Sequence, residues 1–276
     1  MPFKLSDLQQ AMQAYRQFLD GGPPSAHHAR YVFPFFAGSY FSYRKVDVKR
    51  VVAVAKAVSN NDPSYLDVGC GYGDFLKRVR DLLPQASGIE KEGGIFYALG
   101  VPKPDYIEVA AIEFADNKLA TDVAFVGWME PGVDFRRHVA RITKKCVVTT
   151  FDAGGQCGIN GGCEYDEFGF ERVAWWRTPS WIDVNAELMN RYYTPALSDG
   201  EKQRLARLRG AHNFWHVYAR PGNVAEVRAG LEEALADEKN VDKYDFESVL
   251  DETGFGYMEE IPSLTSAKKL WEVMFD

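Results

Sequence analysis

The sequence contains few of the residues that build disulfide frameworks and metal sites. Its 276 residues include four cysteines and five histidines. Of the cysteines Cys70, Cys146, Cys157 and Cys163, the last two share a glycine-rich stretch, with no second pair and no nearby histidine. Structural metal sites usually need about four ligands. We therefore expect free thiols, a reducing compartment and no metal.

The chain also lacks a long apolar run and an excess of positive charge. No stretch approaches the ~18 apolar residues of a membrane span, and the polar start MPFKLSDLQQ does not resemble a secretory signal. The formal net charge of -7 argues against the basic surface that a nucleic-acid binder usually needs. We expect a cytoplasmic protein with no membrane span and no nucleic-acid partner. The sequence leaves the oligomeric state open.

What the sequence does contain is an alternation of strand-like and helix-like segments. Hydrophobic residues make up 46% of the chain, enough for a sizeable core. Strands are predicted at 65–68, 86–90, 106–109, 122–128 and 146–151, with helices between several of them. This order predicts right-handed crossovers and a mostly parallel α/β sheet with helices on both faces.

The two ends of the chain carry additional segments. Residues 1–45 are predicted to form a helix and then an aromatic stretch that either packs on the core or covers a ligand. Asp47 is predicted to cap the next helix. Residues 46–220 form the predicted core, with an insertion at about 179–211, and residues 221–276 a C-terminal α/β extension.

Two interpretations remain open for the last strands of the sheet. In the first, segments 164–177 and 212–219 supply a sixth strand and an antiparallel seventh. In the second, residues 245–275 supply them and 152–243 is one large insertion. We prefer the first, and neither moves the predicted site.

The most informative motif is Leu66-Asp-Val-Gly-Cys-Gly-Tyr-Gly-Asp-Phe75. A buried strand runs into three alternating glycines and then a helix, so the backbone can turn sharply and a ligand can approach it. The Gly-Lys-Ser/Thr ending of nucleotide triphosphatases is absent, and the spacing is not the G-x-G-x-x-G of dinucleotide sites. The acidic Asp74 at the start of the helix disfavours a pyrophosphate and suits an ammonium or sulfonium. A glycine-rich turn without a ligand is the structural alternative.

This motif resembles the first motif of the class I S-adenosylmethionine-dependent methyltransferases, hydrophobic-Asp/Glu-x-Gly-x-Gly-x-Gly. The resemblance extends over about residues 46–151. It implies a Rossmann-like, seven-stranded, mostly parallel sheet, S-adenosylmethionine as cofactor, and methyl transfer. The implied cofactor contacts in this motif are Asp67, Gly69, Cys70, Gly71 and Gly73.

The resemblance extends to the next two strands. Family members carry an acid at the end of the second strand that binds the ribose hydroxyls, which implies that role for Glu90. Many also carry an acid after the third strand that binds the adenine amino group. Here that stretch is Val109-Ala-Ala-Ile-Glu, so we expect Glu113, or the backbone of Ala111 and Ile112, to provide the contact.

After the fourth strand the sequence reads Gly127-Trp-Met-Glu-Pro-Gly. The Asn/Asp-Pro-Pro-Tyr/Phe of enzymes that methylate exocyclic amines is missing, which disfavours that chemistry. Trp128 and Met129 are predicted to line the pocket. Glu130 is predicted as a base, a substrate anchor or a surface acid.

Catalysis requires a base only if the acceptor is protonated. The candidates are Glu130, His28, Tyr40 and His216, together with His27 and His212. The acceptor pocket is predicted under residues 31–43, where Tyr40, Tyr43 and Arg44 are candidate contacts, with tryptophans on the far side. These are Trp175, Trp176 and Trp181.

The function predicted from these residues is methyl transfer to a small-molecule or lipid-like acceptor. A protein or RNA methyltransferase, a non-catalytic S-adenosylmethionine-binding protein and a nicotinamide oxidoreductase are the alternatives. The glycine spacing disfavours the oxidoreductase, and the acidic charge disfavours RNA.

Overall fold

The computed structural model describes residues 45–59, 62–94, 96, 102–114, 119–130, 132–152, 157–159, 163–179, 212–238 and 272–276. Their helices are α1 (Lys45–Ala57), α2 (Asp74–Arg80), α3 (Arg136–Ile142) and α4 (Val224–Asp237). Their strands are β1 (Tyr65–Val68), β2 (Ser87–Glu90), β3 (Ile107–Val109), β4 (Thr121–Gly127), β5 (Thr143–Asp152), β6 (Glu171–Pro179), β7 (His212–Ala219) and β8 (Met274–Phe275).

The strands form one sheet in the order β3-β2-β1-β4-β5-β7-β6-β8. Neighbours from β3 to β5 are parallel, whereas β7 is antiparallel to both β5 and β6. The predicted Rossmann-like, mostly parallel α/β sheet is confirmed. The sixth and seventh strands come from the segments preferred in the sequence. The sheet has eight strands, not seven, because β8 pairs with the outer edge of β6.

Each face of the sheet carries its own apolar core. Helices α1, α2 and α4 cover one face, here called the α1 face, through buried residues such as Val51, Leu76 and Leu231. Helix α3 covers the other, here called the α3 face, through Val139 and Ile142. The central strands are buried on both faces, as parallel strands between helices must be.

Helix α1 is fixed by a buried polar cluster at its N-terminal end. Asp47 is wholly buried and accepts a 3.0 Å hydrogen bond from Trp176 Nε1. Arg50 reaches Glu238 just after α4 through two hydrogen bonds of 2.8 and 2.6 Å. The prediction of Asp47 as an N-cap is wrong, because the helix already includes Lys45 and the Asp47 carboxylate points to a neighbouring strand.

Within the ranges above, no helix is both long and apolar enough to cross a membrane. The predictions for residues 1–44, including His27, His28, Tyr40 and the aromatic stretch 31–43, lie outside the described residues. So do Trp181 and the whole of the segment 241–271.

Candidate ligand site at the glycine loop

The loop after β1 lies where the strand order reverses direction. Strand β1 pairs with β2 on one side and β4 on the other, both parallel to it. In open α/β sheets, ligands bind in the crevice at the carboxyl ends of strands at such a switch point. The sheet therefore places Gly69–Gly73, the glycine loop, where a ligand site is expected.

The backbone of this loop requires glycine. Gly69, Gly71 and Gly73 have φ values of 71°, 57° and 83°, in the left-handed region that residues with a Cβ avoid. A Cβ on Gly73 would also lie 2.5 Å from Ile107 Cδ1. A Cβ on Gly71 would meet no atom within 4 Å. Gly73 is thus needed for packing, whereas Gly71 leaves an open approach to the backbone.

The loop directs its N–H groups into the protein. Gly69 and Cys70 donate to the carbonyl of Ile89 at 2.9 and 3.1 Å, and Gly73 donates to the carbonyl of Cys70 at 3.0 Å. Gly71 donates to Glu90 Oε2 at 2.8 Å. A phosphate-binding loop needs such donors for the ligand, so this loop is unsuited to a phosphate.

Glu90, at the end of β2, is held against the glycine loop. Its Oε2 accepts from Gly71 and its Oε1 accepts from the Glu92 N–H, also at 2.8 Å. Each carboxylate oxygen has a second lone pair for a hydroxyl donor. The structure thus fixes an acidic acceptor beside the loop, in the position predicted for the ribose contact.

The residues beneath the loop pack tightly. Asp67 is 2% exposed and Cys70 is 9% exposed. A Cβ on Gly88 would lie 2.6 Å from Leu76 Cδ2 and 2.7 Å from Cys70 Sγ, so only glycine lets the loop rest on β2. The sequence pattern assigns no role to Gly88, although a glycine inside a strand often marks a place where a ligand or another part of the backbone approaches the strand closely.

The segment after β3 borders the same edge of the sheet. Ala110 donates to the Glu90 carbonyl at 3.0 Å, and a 3₁₀ turn follows at Ile112–Phe114. Ile112 is buried, whereas Glu113 is exposed and the side chain of Phe114 is 86% exposed. Ala111 and Ile112 thus follow β3 at the edge of the sheet where Glu90 lies, and their contact with an adenine remains a prediction.

The chain leaves β4 in a strained conformation. Trp128 has φ 60°, the left-handed region, and donates its N–H to the Thr150 carbonyl at 2.8 Å. A bulky residue in this region costs about 1–3 kcal/mol, and such outliers concentrate at functional sites. Met129 is buried and Glu130 exposed. The three residues follow the strand next to the glycine loop, as predicted, and their roles stay predictions.

His216 lies within the sheet on the α3 face. It is 6% exposed, its Nδ1 is 3.3 Å from the Tyr218 hydroxyl, and its ring meets Phe151 edge-on at 4.8 Å. Burial, and to a lesser extent the charge of Arg172, lower its pKa from 6.5 to about 3. The ring is therefore neutral near pH 7 and a weak proton acceptor.

The low pKa of His216 predicts a pH-dependent stability. The group's pKa is lower in the folded than in the unfolded protein, so its contribution is complete above about pH 6.5 and declines as the pH falls toward 3. One titrating group changes the free energy of unfolding by at most ~1.4 kcal/mol per pH unit. His216→Gln should therefore make the free energy of unfolding, measured by urea titration, depend less steeply on pH between pH 6 and 4. Equal slopes in the variant and the wild type, or an NMR titration of the His216 ring between pH 5.5 and 8, would contradict a low pKa for His216.

The two described tryptophans of β6 have different environments. Trp175 is half-buried on the α3 face. Trp176 is wholly buried on the α1 face and stacks on Trp215 with centroids 5.4 Å apart. The prediction of Trp176 as a wall of the acceptor pocket is wrong, because its ring is enclosed by the core and its N–H is bound by Asp47.

The four cysteines are all buried, and none of them forms a disulfide. Over the described ranges, no group of three or more His, Cys, Asp or Glu side chains is placed to hold a metal ion.

No protein-family model and no curated protein matches the chain. Several solved structures are similar to it in fold. The geranyl diphosphate C-methyltransferase of Streptomyces coelicolor A3(2), in complex with Mg²⁺, geranyl diphosphate and S-adenosyl-L-homocysteine, is 14% identical, with a TM-score of 0.42 over 58% of this chain and 73% of its own.

Two further enzymes give comparable values. Magnesium protoporphyrin IX methyltransferase from Synechocystis PCC 6803, with bound S-adenosylmethionine, is 12% identical, with a TM-score of 0.40 over 64% of this chain and 79% of its own. The plantazolicin methyltransferase BpumL is 11% identical, with a TM-score of 0.39 over 80% of this chain and 99% of its own. At these values the likeness concerns the fold, and the functional assignment depends on this chain's own site.

Proposed function

We propose that the chain is an S-adenosylmethionine-dependent methyltransferase that acts on a small-molecule or lipid-like acceptor. The observation that carries the proposal is the hydrogen bonding of the glycine loop. Four of its N–H groups bind protein acceptors, and one of those acceptors is the Glu90 carboxylate. The loop therefore presents a ligand with the Glu90 carboxylate as an acceptor and with an unobstructed stretch of backbone, and these N–H donors are already occupied.

This arrangement fits a ligand with hydroxyl groups and a positive charge. A ribose has two hydroxyl donors for the remaining lone pairs of Glu90. The open side of Gly69 and Gly71, where an added Cβ meets nothing within 4 Å, gives room for close contact. A pyrophosphate would meet Glu90 and find the loop donors occupied, which disfavours a nicotinamide oxidoreductase.

The chain's own residues would act mainly by positioning. Bound S-adenosylmethionine supplies a methyl group already activated on a sulfonium. Glu90 and the glycine loop would hold the ribose, and the Ala111 and Ile112 backbone would border the adenine. The ring of Trp128 would exclude water beside the reacting atoms, and a fixed orientation supplies much of the rate enhancement.

The cofactor part of the proposal is tested by calorimetry with two matched variants. Glu90→Gln removes one charged acceptor beside the loop and should weaken S-adenosylhomocysteine binding at least tenfold, about the value of one charge-assisted hydrogen bond. Glu92→Gln changes an exposed side chain two residues away and should leave the affinity intact. Tighter binding of NADH than of S-adenosylhomocysteine would refute the proposal.

The catalytic part is tested by turnover. Radiolabelled S-adenosylmethionine incubated with the protein and a fractionated cell extract should transfer label into low-molecular-weight material. Label in protein or RNA would favour those acceptor classes instead. Binding without any transfer would identify a non-catalytic S-adenosylmethionine-binding protein.

A further inference from the structure

Two rows of side chains on the α3 face form a surface that the cofactor site does not use. One row crosses three strands at Phe151, Phe214 and Arg177, which are register partners. The neighbouring row contains His216 and Trp175, also register partners. We call these five residues the aromatic–arginine surface. Four of the five are aromatic rings, and the fifth is a cation.

Arg177 lies against two aromatic rings on the α3 face. Its guanidinium carbon lies 5.9 Å from the centroid of Trp175 and 6.0 Å from that of Phe214. Among the residues that the structure describes, no carboxylate pairs with it. By contrast, Arg172, the other arginine of β6, pairs with Asp276. A half-buried arginine against aromatic faces, with no carboxylate partner among the described residues, suits an oxyanion that can accept two parallel hydrogen bonds, such as a carboxylate or a phosphate.

The aromatic–arginine surface and the candidate cofactor site border the same apolar core. Trp128 and Phe214 pack against the same core cluster, which includes Phe151. Thr150, beside Phe151, accepts the Trp128 N–H. From β4 to β6 the sheet spans three strand spacings, about 14 Å in all. A molecule anchored at Arg177 would therefore need an extended apolar body to reach the site beside Trp128.

We propose that Arg177 anchors the anionic end of an extended apolar or aromatic acceptor that lies along the aromatic–arginine surface. The proposal rests on the methyltransferase function proposed above and narrows its acceptor class. The anion is a carboxylate or a phosphate, held roughly 14 Å from the strand end where methyl transfer would occur. The rings of Trp175 and Phe214 contact the apolar body.

The test uses three naphthalene probes that differ only in charge and head group. The full chain, saturated with S-adenosylhomocysteine, is titrated with 2-naphthoate, 2-naphthyl phosphate and neutral 2-naphthylmethanol, and binding is followed by NMR. At least one anion should bind about tenfold tighter than the alcohol. The tighter anion then identifies the acceptor's head group.

Three variants assign this preference to Arg177. Arg177→Met should remove the preference, whereas Arg177→Lys should retain part of it. Arg137→Met makes the same charge change at an exposed position on α3 and should have no effect. Melting temperatures and S-adenosylhomocysteine affinity are measured on each preparation and should stay close to wild type.

Equal affinities for all three probes, no measurable binding of either anion, or a preference that survives in Arg177→Met would each overturn the proposal. The measurements distinguish a failure of the proposed methyltransferase function from a failure of the proposed role of Arg177. A wild-type chain that does not bind S-adenosylhomocysteine refutes the cofactor assignment. A chain that binds it but shows no anion preference refutes only the role of Arg177.

Discussion

Replacing Trp176 with alanine is expected to lower the free energy of unfolding by about 3–5 kcal/mol, the usual cost of deleting a large buried ring. The ring is wholly buried, and its plane is tilted by only 11° from that of Trp215. The substitution also removes the indole N–H that binds the buried Asp47 carboxylate. Urea denaturation measures the change.

Two further variants separate the contributions. Trp176→Phe keeps a ring against Trp215 and loses only the donor to Asp47, so it should cost about 1–3 kcal/mol. Trp175→Ala changes a half-buried ring on the opposite face and should cost less than Trp176→Ala. If Trp176→Ala were as stable as wild type but had a reduced turnover, Trp176 would line the acceptor pocket, as the sequence predicts.

Gly71→Ala is expected to abolish measurable S-adenosylhomocysteine binding while the protein stays folded. The new methyl group meets no protein atom within 4 Å, so it would occupy the space through which the ligand approaches the backbone. The φ of 57° adds strain of about 1–2 kcal/mol. Calorimetry and a thermal melt measure the two effects.

Gly169→Ala is the matched control for this strain. Gly169 has φ 76° and ends a short 3₁₀ turn just before β6, at the opposite end of the sheet from the glycine loop. An added Cβ would also lie 3.3 Å from Arg220 Nη1, so the substitution should lower stability by at least as much and leave ligand affinity unchanged. Equal loss of affinity in both variants would mean that strain, and not the occupied space, explains the Gly71 result.

The central part of the fold could be predicted because its pattern is local. Strands β1, β4 and β5 are short apolar runs between turn signals, and the predicted bounds differ from the observed ones by a few residues. The glycine motif also indicated its position at the carboxyl edge of the sheet, since a strand followed by glycines and a helix has few other geometries.

The errors concern residues whose roles depend on distant partners. Asp47 has the sequence context of a cap, yet its carboxylate binds Trp176, 129 positions away. Adjacent residues of a strand face opposite sides, so Trp175 and Trp176 could not both line one pocket. The pairing of β8 with β6 and the position of Arg177 against the Trp175 ring also follow from contacts that no local pattern encodes.

The hydrogen bond between Gly71 and Glu90 has a consequence for competition inside a cell. Many abundant metabolites share the adenosine half of S-adenosylmethionine, and ATP is the most obvious of them. The N–H groups of this loop donate to protein acceptors, and the Glu90 carboxylate lies beside the proposed ribose position. Such a site would bind the adenosine half that these metabolites share but would repel a triphosphate tail. Such a site would stay available to a scarcer sulfonium compound without any gate to exclude nucleotides.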